Sequence, residues 1–487
     1  MKNTIKSLLL VLGVVLVTQS CESDWLEETT STQIRAQEQF EAEEGFKDAL
    51  IGSYIGMTTP YSKDMTWNLV DLLGQQYATL PVGGLYVDVQ QYQYRTVRST
   101  PQVDALWTGQ YNVLSNINNA LGYIDENQHV LHPINYNIIK GELLGLRAFL
   151  HFDLLRLYGV GDIENRGLWG EYTIPYVTSY TKDITPQRTN EETFALLEAD
   201  IEQALELLEA DPIYAESTTT DEDLLGINRD EFYEDRELRM NYYAVKALQA
   251  RVLLWQGTPT KISQAGVAAQ EVIQQSQARL INSENYPVSR DPILYPEILF
   301  ALDITAFADI VNIPHDASTD TNYNALYLPT GRAAEVFETQ NVNVGIADIR
   351  YNTLLASQAK GLVSQKLVQA RQDHPNRMPL MKLPEMYYIA AEAALEEGLT
   401  GPAIELLNAV RSSRGIIEPI SESSSVEEVE MELYKEYRKE FISEGQLFFY
   451  YKRTGATRIP GVSENTVIDD QIYQLPYPDQ EMEFGNR

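Results

Sequence analysis

Residues 138–158 read IIKGELLGLRAFLHFDLLRLY, and this stretch decides the fold. Leu143, Leu144, Leu146, Phe149, Leu150, Phe152, Leu154, Leu155 and Leu157 fall on nearly every side of a helix. A helix that is apolar all round is buried on most faces. The chain is therefore mostly α, with at least one helix running through its interior. Glu142, Arg147, His151 and Asp153 interrupt the apolar run and must find partners inside. Gly159 supplies the stop.

Outward from this helix the same period recurs. Phe40, Phe46, Leu50 and Tyr54 mark one face of a helix from Gln39 to Tyr54. Trp67 to Tyr77 continues helical, and Leu80-Pro81-Val82-Gly83-Gly84 breaks the chain. Trp107, Tyr111, Leu114, Ile117 and Leu121 restore a helix, with Trp107 in the core. Thr189-Asn190-Glu191-Glu192 is a capped start for a helix to about Glu209. Asn241–Gln256 and Ser263–Gln275 form a helix pair joined at Gly257-Thr258-Pro259. Glu385–Glu397 and Gly401–Ser412 form another, joined through Gly398. Each second helix opens with small residues, Ala265, Ala268 and Ala269 or Ala403 and Ala409, that let helices approach closely. This is the logic of tetratricopeptide hairpins, here interrupted by long insertions. The last clear helix is Val429 to about Tyr451. Residues 85–100 have no helical period and read as an exposed loop or a short strand pair. Residues 282–346 form the largest insertion, rich in turn residues.

The N-terminus reads MKNTIKSLLLVLGVVLVTQSCESDWLEETT. Lys2 and Lys6 precede an apolar run from Leu8 to Val17, then small residues and Cys21. That order is a secretory signal, too short for the roughly 20 residues that span a bilayer. Cys21 is the only cysteine in 487 residues, so it has no disulfide partner. It is placed to become a lipidated N-terminus. Residues 1–20 are then a lipoprotein signal peptide, 21–37 a polar tether, and 38–487 a single domain with insertions near 60–100 and 282–346. The formal charge of −33 repels phosphates, which excludes nucleic acid as a partner. It also disfavours docking on anionic lipid, so attachment to a membrane falls to acyl chains.

Six landmarks together resemble the SusD/RagB family of surface lipoproteins. Cys21 with Asp24-Trp25-Leu26-Glu27 looks like its lipidated start. Leu106-Trp107 through Tyr111, Ile117 and Asn118-Asn119-Ala120 is similar to its early helix. Leu146-Arg147-Ala148-Phe149 with Leu157-Tyr158-Gly159 is close to its most recognisable motif. Tyr243-Ala244-Val245-Lys246-Ala247 with Arg251, then Ala390-Ala391-Glu392-Ala393 with Arg411 and Arg414-Gly415, match two more. Glu436, Arg438, Glu440, Glu444-Gly445 and Arg453 match the closing motif. Tyr437, Leu447 and Tyr450 depart from it, which suggests aromatic packing in place of a polar network. The resemblance implies a mostly α, tetratricopeptide-like scaffold with loop-rich insertions, anchored by lipid at Cys21 on the outer-membrane surface. It implies capture of a nutrient, an oligosaccharide or alternatively a peptide, and delivery to a SusC-like TonB-dependent transporter.

Catalytic signatures do not emerge. The sequence holds no HExxH, no GxSxG and no phosphate-binding glycine loop. His129 and His132 have a spacing that could place two ligands on one helical face, but no third ligand has motif spacing. No cofactor or metal is expected, and binding is favoured over catalysis. A surface hydrolase built from one pair of the 70 acidic residues, or a scaffold without small ligand, stays open. Arg147, Arg251, Glu392, Arg411 and Arg438 lie beside apolar rows and are expected to satisfy charges inside the helical core. Ligand contacts are expected on the insertions, where rings stack on sugar faces and amides or arginines bond the edges. The candidates are Trp67, Asn68, Tyr86, Tyr92, Tyr94, Arg95 and Arg98 in the first insertion. In the second they are Asn322, Tyr323, Asn324 and Tyr327.

Overall fold

In the computed structural model, residues 37–228, 230–370 and 372–485 are described. The signal peptide, Cys21 and the tether up to residue 36 lie outside the described residues. No described helix is long and apolar enough to cross a membrane.

The fold is a stack of helices around the stretch quoted first. Helix α1 spans Glu43–Tyr61, α2 Leu69–Leu73, α3 Thr100–Ile124 and α4 Pro133–Tyr158. His132 accepts from the Ile134 amide at the start of α4, and Pro133 presets its first turn. From Gly141 to Tyr158 every residue of α4 is buried. The polar side chains of this buried stretch all find partners, as the sequence demands. Glu142 takes Arg236, Arg239 and the Tyr54 hydroxyl. Arg147 grips Asp200 through two nitrogens at 2.8 and 2.6 Å. Asp153 takes Arg156 and, at 2.6 Å, the Tyr61 hydroxyl. His151 Nε2 accepts from the Val177 amide at 2.9 Å, and burial pulls its pKa down to about 3, so the ring stays neutral. Trp107 is core, edge-on to Tyr158 at 4.9 Å.

Helix α5 (Asn190–Leu207) starts at the polar cap read from the sequence, where Thr189 and Glu192 form a capping box. Then come the two hairpins, α6 (Tyr242–Gln256) with α7 (Pro259–Gln275), and α8 (Leu383–Glu396) with α9 (Thr400–Ser413). Gly257 and Gly398 adopt positive φ at the two turns. The hairpins stack directly, α7 on α8. A Cβ built on Gly266 of α7 would lie 2.5 Å from Ala393 Cβ of α8, so the small residues set this spacing. Strands are few and short. Tyr172–Pro175 pairs with Gln187–Thr189, Leu355–Ser357 with Leu362–Ser364, and Ile298–Asp303 with Arg377–Lys382, all antiparallel. The last pair runs straight into α8 and roots the large insertion on the hairpin.

Three expectations need correction. Residues 67–77 are helical only over α2. Residues 85–100 contain a single helical turn, Val87–Gln90, and no strand among the described residues. The last helix is two, α10 (Val426–Glu440) and α11 (Gln446–Arg453). Ser443 and Gly445 between them have positive φ, and their amides donate to the Asp71 carboxylate at 2.8 and 3.3 Å. A Cβ on Gly445 would lie 2.5 Å from the Thr66 carbonyl oxygen, so the break is forced by a distant segment.

The aromatic packing expected from Tyr437 and Tyr450 is present, with ring centroids 4.5 Å apart. It sits beside a polar network and does not replace it. Arg350 bonds Asp348, Glu436 and Glu440, and Arg414 bonds Glu297 and Glu440, all fully or nearly buried. Lys366 and Lys382 reach Glu444. The other expected internal charges are also paired: Arg251 with Glu385, Glu392 with Arg453, Arg411 with Glu432, and Arg438 with Glu335.

Two outcomes follow. Alanine at Gly266 should lower stability by about 1–3 kcal/mol in urea denaturation through overpacking, although helix propensity alone favours it. Glu436→Gln should cost about 3–5 kcal/mol at pH 7, because it strands buried cations. Burial pushes the Glu436 carboxyl up, but Arg350, Lys439 and Arg411 bring it down to about 2. A carboxyl held below its unfolded value stabilises above that value and loses the effect as pH falls through the folded pKa. The gap between parent and variant should therefore be full above about pH 4.5 and shrink toward pH 2.

Candidate ligand-binding site

The two insertions that lie far apart in sequence meet in space. The Leu85 amide donates to Asn324 Oδ1 at 2.7 Å, and the Ala78 amide to the Tyr327 carbonyl at 2.9 Å. Arg98 Nη1 ties the first insertion to itself, donating to the Val82 and Gly84 carbonyls at 3.1 and 3.2 Å. The Tyr323 ring lies on the Gly83-Gly84 turn, where a Cβ on Gly83 would be 3.0 Å from it. Asn322 does not face out either; its amide nitrogen bonds the Ile313 and Asp316 carbonyls.

Between the insertions and the C-terminal end of α1 runs a cleft of about 800 Å³. One wall carries Thr58, Lys63, Asn68 and Leu85, the other Asp303, Thr305, Asp309 and Ile310. Lys63 is 41% exposed, with Asp64 at 3.9 Å. Asp303 pairs with Arg377 on the neighbouring strand. Asn68 is buried, and its side chain makes no hydrogen bond to another described residue, so its amide is left for a ligand. The cleft thus offers an ammonium, carboxylates, an amide and hydroxyls around the apolar surfaces of Leu85 and Ile310. Such a mixture suits a polar ligand with apolar faces.

The sequence-derived candidates divide into three groups. Trp67, Asn68 and Tyr86 line this cleft, joined by Asn324. Trp67 is not a stacking platform, however. Its ring is fully buried, its Nε1 donates to the Ser62 carbonyl at 2.6 Å, and it packs on His315 at 5.0 Å. Burial pulls the His315 pKa down to about 4, so that neighbour is neutral. Tyr86 is buried as well, with its hydroxyl on Asp64 at 2.7 Å. Both rings serve as the floor. Tyr323, half exposed, lies on the Gly83-Gly84 turn and not in the cleft lining, and Tyr327 turns away toward Gly361.

Tyr92, Tyr94 and Arg95 lie elsewhere, in a groove of about 790 Å³ against residues 470–482. The Tyr94 hydroxyl donates to the Ile472 carbonyl at 2.7 Å, and Tyr92 to the Leu73 carbonyl at 2.9 Å. Arg95 is exposed, 3.8 Å from Asp479. The positive φ of Tyr92 marks where the chain turns between the two places. Sequence reasoning missed Lys63, Asp303 and Asp309. The two carboxylates lie inside the insertion but carry nothing to separate them from the other acids. His129 and His132 do not share a helix face, since the first sits in a 3-10 turn and the second caps α4. Among the described residues no cluster of three His, Cys, Asp or Glu could hold a metal ion.

The sequence profile of a family described as "Starch-binding associating with outer membrane" matches residues 24–220. That of the "SusD family" matches residues 313–485. No curated protein sequence matches the chain. The fold is similar to a SusD superfamily protein from Bacteroides thetaiotaomicron, at 22% identity and TM-score 0.70, over 91% of this chain and 98% of that one. It is similar also to a SusD-like carbohydrate binding protein from Bacteroides vulgatus, at 19% identity and TM-score 0.66, over 85% and 83%. A SusD superfamily protein from Bacteroides fragilis matches at 16% identity and TM-score 0.68, over 91% and 98%. These likenesses speak for the fold; the two profiles, matching in order on either side of the middle of the sequence, speak for descent. The chain belongs to the SusD/RagB family.

Proposed function

We propose that the protein captures an oligosaccharide, without cleaving it, in the cleft between its two insertions. It then hands the sugar to a SusC-like TonB-dependent barrel, while acyl chains on Cys21 hold it on the outer-membrane surface. One observation carries the binding reading: insertions more than two hundred residues apart are hydrogen-bonded edge to edge and line one polar-rimmed cleft. The match to a starch-binding family supports a sugar, and so does the carbohydrate-binding description of the Bacteroides vulgatus relative. Release into a transporter asks for moderate affinity, because a tightly held ligand leaves slowly.

Titration calorimetry of the chain lacking residues 1–21 against neutral oligosaccharides tests this reading. Lys63→Ala, Asn68→Ala and Asp309→Ala should each weaken the best ligand by about tenfold, equal to the loss of roughly one good hydrogen bond. Tyr92→Ala should leave it unchanged. Binding of peptides in place of every sugar would move the substrate class to peptide. Sugar products that vanish with Asp303→Asn or Asp309→Asn would make the protein a surface hydrolase.

A further inference from the structure

A second groove, of about 970 Å³, shares no lining residue with the ligand cleft. It lies between the C-terminal end of α3, the middle of α4, residues 178–182 and Gln203 on α5. Leu121 and Leu144 give it an apolar floor. One wall is fixed. Arg147 is held by Asp200 from behind, by Asn118 Oδ1 at 3.0 Å and by the Thr178 carbonyl at 3.3 Å. The Tyr176 hydroxyl completes the set, donating to Asp200 at 2.6 Å. The groups on this wall are saturated and do not need a ligand.

The opposite is true of the rim. Asn119, Tyr180, Lys182 and Gln203 converge on the groove, and none of their side chains bonds another described residue. Tyr180 is 55% exposed and has no ring partner among the described residues. The charge balance is also unlike that of the chain. The lining holds Lys140, Arg147 and Lys182 against Asp125 alone, in a protein with 70 acidic and 37 basic residues. Asp125 is itself occupied, by Lys140 at 2.6 Å and the Tyr136 hydroxyl at 2.8 Å. Lys182 is thus a cation that faces the groove with no acid of a described residue within 4 Å.

We infer that this groove is a second binding site, for a saccharide unit that carries a carboxylate. Tyr180 offers a face for the ring, Asn119 and Gln203 bond hydroxyl edges, and Lys182 pairs with the carboxylate. The net negative charge of the chain repels such a sugar, so a local basic groove favours docking there. This goes beyond capture in the loop cleft and does not depend on it.

The test is calorimetry of the chain lacking residues 1–21 with trimers of galacturonic, glucuronic and N-acetylneuraminic acid, each compared with its methyl ester. At least one acid should bind, and its ester should bind about tenfold more weakly or not at all. Lys182→Gln and Tyr180→Ala, both at exposed loop positions, should each weaken the acid by about tenfold, and added salt should weaken it further. Lys63→Ala in the loop cleft should leave it unchanged. Failure of all three acids to bind, equal affinity for acid and ester, or loss with Lys63→Ala in place of Lys182→Gln would each overturn the proposal. None of these results bears on neutral sugars in the loop cleft.

Discussion

Arg414 is completely buried and bonds two carboxylates, Glu297 in the large insertion and Glu440 on α10. Arg350 extends the same network to Asp348, Glu436 and Glu440, and Lys366 and Lys382 carry it to Glu444. Charges taken out of water cost several kcal/mol each and are tolerated only when every one is matched. This arrangement meets that condition by drawing its members from the insertion (Glu297), from the segment after it (Asp348, Arg350), from the end of the second hairpin (Arg414), and from α10 and the turn that follows it (Glu436, Glu440, Glu444). Moving any one of these elements strands a buried charge. The network therefore fixes where the insertion leaves the helical scaffold, and everything the insertion carries inherits that position.

The consequence at the surface is the cleft. The first insertion hangs from α1 and α2, and α2 is itself clasped to the α10–α11 junction through Asp71. The second hangs from the strand pair that enters α8. Both roots are rigid, so the loops can be irregular and still meet with defined hydrogen bonds at Leu85 and Asn324. On the proposed reading this serves a binder well. Exposed Lys63 and the amide of the buried Asn68 select the ligand, while buried rings such as Trp67 and Tyr86 form the floor.

Much of this was legible in the sequence where one physical signal dominated. The all-apolar run of α4 announced its own burial, and its four polar residues announced that partners existed. The alanines that open the second helix of each hairpin announced close packing, and the closest approach falls at Gly266 against Ala393, a glycine that the pattern did not single out. Where tertiary contacts decide, the sequence was mute. The apolar pattern runs on from Phe441 to Tyr451, but the Thr66 carbonyl and the Asp71 carboxylate break the helix there. Trp67 was expected among the ligand contacts, but it sits just before the five-residue α2, which is too short to show an inside and an outside by period. Tyr92 and Tyr94 are close to Tyr86 in sequence yet face residues 470–482, since the backbone turns at Tyr92. Lys63, Asp303 and Asp309 were invisible because charged residues are too common in this chain to stand out singly.

The most direct measurement is a crystal structure of the chain bound to a neutral oligosaccharide that it retains in solution. The account predicts intact sugar rings between Lys63, Asn68 and Leu85 on one side and Asp303 and Asp309 on the other, with Glu297, Arg414 and Glu440 still joined beneath. Sugar seated instead along residues 470–482, or cleaved in the cleft, would contradict it.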